Sequence, residues 1–106
     1  MRKKAVKASR RYLELMGWKH LGTSNDFEVY EDNDGYYTFV NTTWSTNEFK
    51  ESDKNTLQSE AEYAMTQWFS DHEELCDIPI RIDEVQLHVL SNSRALIRHK
   101  VNAICC

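Results

Sequence analysis

The sequence is poor in the residues that most nucleotide sites, metal clusters and secreted scaffolds depend on. It has three glycines, and none of them forms the glycine-rich loop that cradles a phosphate. Its three cysteines, Cys76, Cys105 and Cys106, lack metal-ligand spacing, so reduced thiols are the natural reading and a disulfide scaffold is excluded. Cys105 and Cys106 are adjacent, an arrangement open to oxidation between molecules in vitro. No serine or cysteine sits in a nucleophile motif. The four histidines, His20, His72, His88 and His99, share no ligand spacing, so structural roles are expected for most of them. The chain begins with the basic MRKK, but AVKASRRYLEL supplies no apolar h-region, and a signal peptide is not expected. No apolar run approaches the roughly 20 residues of a transmembrane helix. The expectation is a cytoplasmic protein without a membrane partner.

Against these absences stands enough apolar material for one core. Hydrophobic residues make up 41% and aromatics 11%, which places the chain among folded proteins, and 106 residues are enough for one domain spanning 1–106 but too few for two. The net charge of −4 is unevenly spread. Six of the 13 basic residues (Arg2, Lys3, Lys4, Lys7, Arg10 and Arg11) fall in the first 11 positions with no acid among them; the remainder, with seven bases against 17 acids, stands at −10. So acidic a body is a poor general partner for DNA, whose phosphates reward Lys and Arg. It suits a basic protein partner instead, and the N-terminal segment is the one place that favours a polyanion.

The pattern of apolar residues gives the elements. Ala5, Ala8, Tyr12, Leu15 and Met16 recur at helical spacing over 3–16, with Lys3, Lys7, Arg10 and Glu14 on another face and Gly17 as the terminator. Trp18 to Leu21 reads as a short strand. Phe27 to Ser45 reads as a β-hairpin around Asp34-Gly35, a type I′ signature. With those two as the loop, Glu28 opposes Asn41, so Glu28, Asn41 and Thr43 share one sheet face while Val29, Val40 and Thr42 take the other. Tyr30, Tyr36, Tyr37 and Trp44 around it read as packing residues. Thr46 to Asn55 is a polar connection with Phe49 tucked back. From Thr56 to Glu74 a second helix carries Leu57, Ala61, Ala64, Met65, Trp68, His72 and Leu75 on one stripe, with Asn55 or Thr56 as its cap. Pro79 breaks the chain before a strand over Ile80 to Leu90, whose Val85, Leu87 and Val89 oppose Glu84, Gln86 and His88. Ser91 to Ser93 turns into a last, partly exposed edge strand over Ala95 to Ile104.

This order, with TFVNTTWS in the hairpin and with RYLELMGW, PIRIDEV and the terminal HKVNAI as its most specific parts, resembles the YraN-like predicted endonucleases of the restriction-endonuclease-like superfamily. The resemblance covers nearly the whole chain. It implies an α/β fold with a mixed sheet of about five strands flanked by two helices, in the order α-β-β-β-α-β-β. It also implies a metal and catalytic site built from an Asp on one strand and a Glu and a Lys on the next. Glu28, Asn41 and Thr43 stand at those positions, and Asn25-Asp26 replaces the Gly-Glu that precedes the Asp. His99 and Asn102 match the HxxNA-like ending, where they are expected to hold the sheet edge.

Phosphodiester hydrolysis with Mg²⁺ or Mn²⁺ needs hard oxygen ligands and a cation to stabilise charge. Asn41 has an oxygen without a charge, and Thr43 cannot replace a cation. The expectation is a catalytically inactive nuclease-fold protein that binds DNA or RNA weakly, with Lys3, Lys7 and Arg10 as the phosphate-tracking face. Two alternatives stay open: an active metal-dependent endonuclease using Asp26 and Glu28 as metal ligands, or a protein interaction module.

Overall fold

The computed structural model describes residues 2–46, 54–72, 79–91 and 94–102. Phe49 and most of the polar connection lie outside the described residues, as do Leu75, the three cysteines, the middle of the last turn and positions 103–104 of the last strand. The elements are α1 (Arg2–Leu15), β1 (Lys19–Ser24), β2 (Phe27–Glu31), β3 (Tyr37–Ser45), α2 (Lys54–Asp71), β4 (Ile80–Ser91) and β5 (Arg94–Lys100). They form an α/β fold with one five-stranded mixed sheet in the order β1-β2-β3-β4-β5. Neighbours are antiparallel except β3 and β4, which are parallel and therefore need the long crossover that carries α2.

The helices cover opposite faces. Leu57, Ala61, Ala64 and Trp68 of α2 pack on Phe27, Val29 and Phe39, as their spacing predicts. On the other face, Leu13 packs with Trp18, Tyr30, Val40, Val85 and Leu87, with Ala8 and Tyr12 alongside. The buried line of α1 is Ala5, Ser9 and Leu13, and Leu15 is 80% exposed, so the expected stripe ran one position off at its C-terminal end. The helix closes there in a Schellman motif: Trp18 N–H donates to the Leu13 carbonyl, Gly17 N–H donates to that of Glu14, and Gly17 sits at φ +92°. Leu13 and Trp18, joined by that motif, then anchor the α1 face of the core.

The hairpin differs from the expected register by one residue. Glu28 opposes Val40 and Glu31 opposes Tyr37, so Asn33, Asp34 and Gly35 form a three-residue loop. The segment Asp32-Asn33-Asp34-Gly35 satisfies two turn codes at once. Asp34-Gly35 suits a type I′ turn, but Asp at the first position and Gly at the fourth suit a type I turn followed by a bulge. The second wins. Asp32 Oδ1 accepts from the N–H groups of Asp34 and Tyr36, both at 2.9 Å, and Gly35 alone in the loop takes positive φ, at +86°. The two-residue turn with both φ positive falls one hairpin earlier, at Asn25 (+45°) and Asp26 (+67°), between the opposed Ser24 and Phe27.

A slip of one residue sends every side chain to the other face. Val40 and Thr42 therefore share the α1 face with Glu28, while Asn41 and Thr43 join Val29 and Phe39 on the α2 face. Among the described residues no helix is long and apolar enough to cross a membrane.

Candidate functional site

Because of that register, the three positions that the resemblance singles out do not converge. Glu28 lies on the α1 side of β2, 6% exposed, and its carboxylate is fully engaged. Oε1 accepts from Arg10 Nη2 at 2.7 Å and pairs with His20 Nε2 at 2.9 Å, and Oε2 accepts from Thr23 Oγ1 at 2.7 Å. Burial alone pushes the Glu28 carboxyl up. The hydrogen bonds from Thr23 and Arg10, with the charges of His20 and Arg10, outweigh that and hold it below the ordinary carboxylate value. Tyr30, buried beside this cluster, moves the other way: burial and then the Glu28 charge push its phenol up to about 12. Asp26 is in the β1–β2 turn, because β2 begins at Phe27, and strand alternation does not bring it onto the face of Glu28.

Asn41 and Thr43 belong to a different surface. In the parallel register Asn41 opposes Glu84 and Thr43 opposes Gln86, and across β4 these meet Lys100 and Arg98. Glu84 and Gln86 are 1% and 2% exposed. Gln86 Nε2 donates to Glu84 Oε1 at 3.1 Å, and Arg98 Nε donates to Gln86 Oε1 at 2.6 Å. The result is a polar row in which charges are compensated side by side.

The densest network lies back on the α1 face and joins the two segments PIRIDEV and HKVNAI. Asp83 has no exposed surface. It accepts from Arg81 Nε and Nη2 at 2.9 and 3.1 Å, from His99 Nε2 at 2.7 Å and from the Asn102 N–H at 2.8 Å. Arg81 spends its remaining nitrogen on Asp32 Oδ2 at 3.0 Å, and its guanidinium lies over the Trp18 ring, 5.2 Å from the centroid. The other ring nitrogen of His99, Nδ1, lies 3.2 Å from the Tyr12 hydroxyl, which joins α1 to the network. Burial raises the Asp83 carboxyl, but the donors from His99, Arg81 and Asn102 outweigh it and the carboxyl lies below its ordinary value. This network ties the hairpin turn, β4, the end of β5 and α1 together. It also stops β5 at Lys100, because Asn102 turns into a left-handed conformation (φ +57°) to reach Asp83.

The chain matches no family model and no curated protein. Its chemistry therefore has to be read from these groups. The donor set does not fit a divalent ion at the positions the resemblance marks: the one carboxylate there is already paired with Arg10 and His20, and the amide and hydroxyl lie across the sheet. Among the described residues no group of three or more His, Cys, Asp or Glu side chains is placed to hold a metal.

In the basic helix Arg10 forms an ion pair on the sheet side and keeps 41% of its side chain exposed. Its partner is Glu28, while Lys3, Lys7 and Arg11 are exposed and spaced by four, forming one solvent-facing stripe. His88 and His99 fall on opposite faces of the last hairpin, with His88 opposing Leu96 and His99 opposing Val85. His72 stacks on Trp68, with ring centroids 4.2 Å apart. Sequence reasoning passed over Asp83 and Arg81. The signal for them is a pair of charges inside a strand that must run parallel beside β3, where both faces are covered and a charge requires a partner.

Proposed function

We propose that this chain is a restriction-endonuclease-like domain without nuclease activity, binding the backbone of DNA or RNA weakly through the Lys3, Lys7 and Arg11 stripe of α1. The observation that carries the reading is the state of Glu28: a carboxylate bound by three side-chain donors, on the face away from Asn41 and Thr43. Hydrolysis would require that carboxylate to ligate a metal and another carboxylate and a cation to join it. Here it serves to hold α1 against β1 and β2 through Arg10.

The exposed stripe supports the binding half of the proposal, since the first 11 positions hold six of the 13 basic residues and no acid, on an otherwise acidic body. Contacts of this kind reach phosphates and not base edges, so binding is independent of sequence. The cysteines, which lack disulfide-framework or metal-ligand spacing, support a reducing, cytoplasmic setting. The test is a pair of measurements on one preparation. The protein is expected to show no Mg²⁺- or Mn²⁺-dependent cleavage of single-stranded, duplex or branched DNA, together with salt-sensitive binding that is lost in Lys3→Glu, Lys7→Glu, Arg11→Glu. Cleavage that disappears in Glu28→Ala would overturn the first half. Binding unchanged by the triple substitution would overturn the second.

A further inference from the structure

We propose that the N-terminal half of α1 is a segment whose helical state is coupled to its ligand: a nucleic-acid strand presenting several phosphates in a row stabilises it, and a single phosphate does not; the inference rests on the nucleic-acid reading above. Lys3, Lys4, Lys7 and Arg11 are exposed, and among the described residues none of the four has an ion-pair partner. The local electrostatic effects here work against the helix. The macrodipole favours acids in the first turn and bases in the last, but α1 has no acid in its first turn, no base in its last, and an exposed Glu14 near its C-terminal end. Lys3 and Lys7 are four apart, as are Lys7 and Arg11, a spacing at which like charges on a helix repel.

Packing does little to offset this at the N-terminal end. Between positions 3 and 7 only Ala5 is buried, with a methyl group to contribute. The anchors lie further on: Ser9 and Leu13 are buried, Arg10 reaches Glu28, and the Tyr12 hydroxyl lies 3.2 Å from His99. Local rules broken together at one exposed place mark a functional segment, where stability of the free fold is given up for binding. The class of ligand follows from spacing. Four residues of helix rise about 6 Å, so Lys3, Lys7 and Arg11 spread three charges over about 12 Å. One phosphate cannot compensate charges that far apart. A duplex, with one charge per about 1.7 Å of its axis, meets the whole row at once and supplies the negative charge that the start of the helix lacks.

Amide hydrogen exchange of the full chain at low salt is the test. In the free protein the amides of Val6, Lys7, Ala8 and Ser9 are expected to exchange faster than those of Leu13 and Glu14, after correction for intrinsic rates. A DNA duplex at about ten times its Kd is expected to slow them by up to about tenfold. Inorganic phosphate at the same phosphate concentration should leave them unchanged. Polyglutamate at the same charge concentration should protect them less than the duplex, because an extended polypeptide carries at most one charge per about 3.3 Å. Lys3→Glu with Lys4→Glu, at exposed positions, is expected to slow the same amides in the free protein by at least about threefold, since acids then face the dipole, while weakening duplex binding. Exchange no faster than at Leu13 and Glu14, equal protection by phosphate or polyglutamate, or exchange unchanged or faster in the double variant would each overturn the inference. Duplex binding that leaves Val6 to Ser9 unprotected would overturn it while the reading beneath it stands, and failure of the duplex to bind would remove both.

Discussion

Removal of the Asp83 carboxylate tests what the α1-face network contributes. Asp83→Ala leaves Arg81 with Asp32 as its remaining ion partner, removes the acceptor for His99 Nε2 and frees the Asn102 N–H. Breaking a buried pair by deleting one partner costs about 3–5 kcal/mol, and an orphaned buried donor about 1–3 kcal/mol. These costs overlap, and Asp32 still compensates part of the Arg81 charge, so the lower end is expected: about 3 kcal/mol, out of about 5–15 kcal/mol for a small domain. Urea unfolding followed by tryptophan fluorescence reads this as a midpoint lowered by about 1–3 M, for a slope of about 1–3 kcal/mol/M. Trp18, stacked beneath Arg81, makes the fluorescence sensitive to this region. Asp83→Asn should recover little, because the amide nitrogen would point a donor at Arg81 or His99. If Asp83→Ala shifts stability by less than about 0.5 kcal/mol, as ordinary surface changes do, the network is not what fastens β4 and β5 to α1.

Further outcomes follow from the same geometry. Glu28 and Asp83 both have carboxyls held below their ordinary values of 4.5 and 3.8. Their contribution to stability is complete above those values and is lost as pH falls through the lower folded values, so urea midpoints should drop steeply below about pH 4; a flat acid profile would contradict this. Tyr30 has the opposite sign: its contribution is complete below 10 and is lost as pH rises through about 12, which alkaline unfolding monitored by tyrosinate absorbance should follow. Asn41→Glu with Thr43→Lys should give no Mn²⁺ heat in calorimetry, because those side chains face α2 while Glu28 faces α1; a heat that vanishes on adding Glu28→Ala would show that the three positions do meet. Asp32→Ala removes both turn N–H acceptors and one Arg81 partner, and should cost about 1–3 kcal/mol in thermal or urea unfolding, with no change expected if the turn holds itself.

The element order was legible in the sequence because the long apolar patterns of α2, β3 and β4 leave few alternatives. Even Glu84, Gln86 and His88 opposite Val85 and Leu87 followed from alternation alone. The hairpin register was not legible: Asp32-Asn33-Asp34-Gly35 encodes two turns, and both are strong local signals that sequence spacing does not rank. The candidate site inherited that ambiguity, since a one-residue slip separates Glu28 from Asn41 and Thr43. The pairing of Arg10 with Glu28 was not legible for a related reason. Helical spacing places it beside Lys3 and Lys7, but a buried carboxylate on β2 draws it in, and Arg11 takes the exposed place. Such long-range charge pairing leaves no periodic trace in a sequence.

Binding of a labelled DNA duplex titrated against salt tests the central claim most directly. With Lys3, Lys7 and Arg11 each neutralising one phosphate, the slope of log affinity against log salt is expected near about −2.7, and affinity should remain weak because the rest of the protein is acidic. The triple Glu variant should bind undetectably while retaining the wild-type circular dichroism spectrum, and Arg10→Gln should leave the slope unchanged. No salt-sensitive binding by the unmodified protein even near about 50 mM salt, where such contacts are strong, would contradict the account.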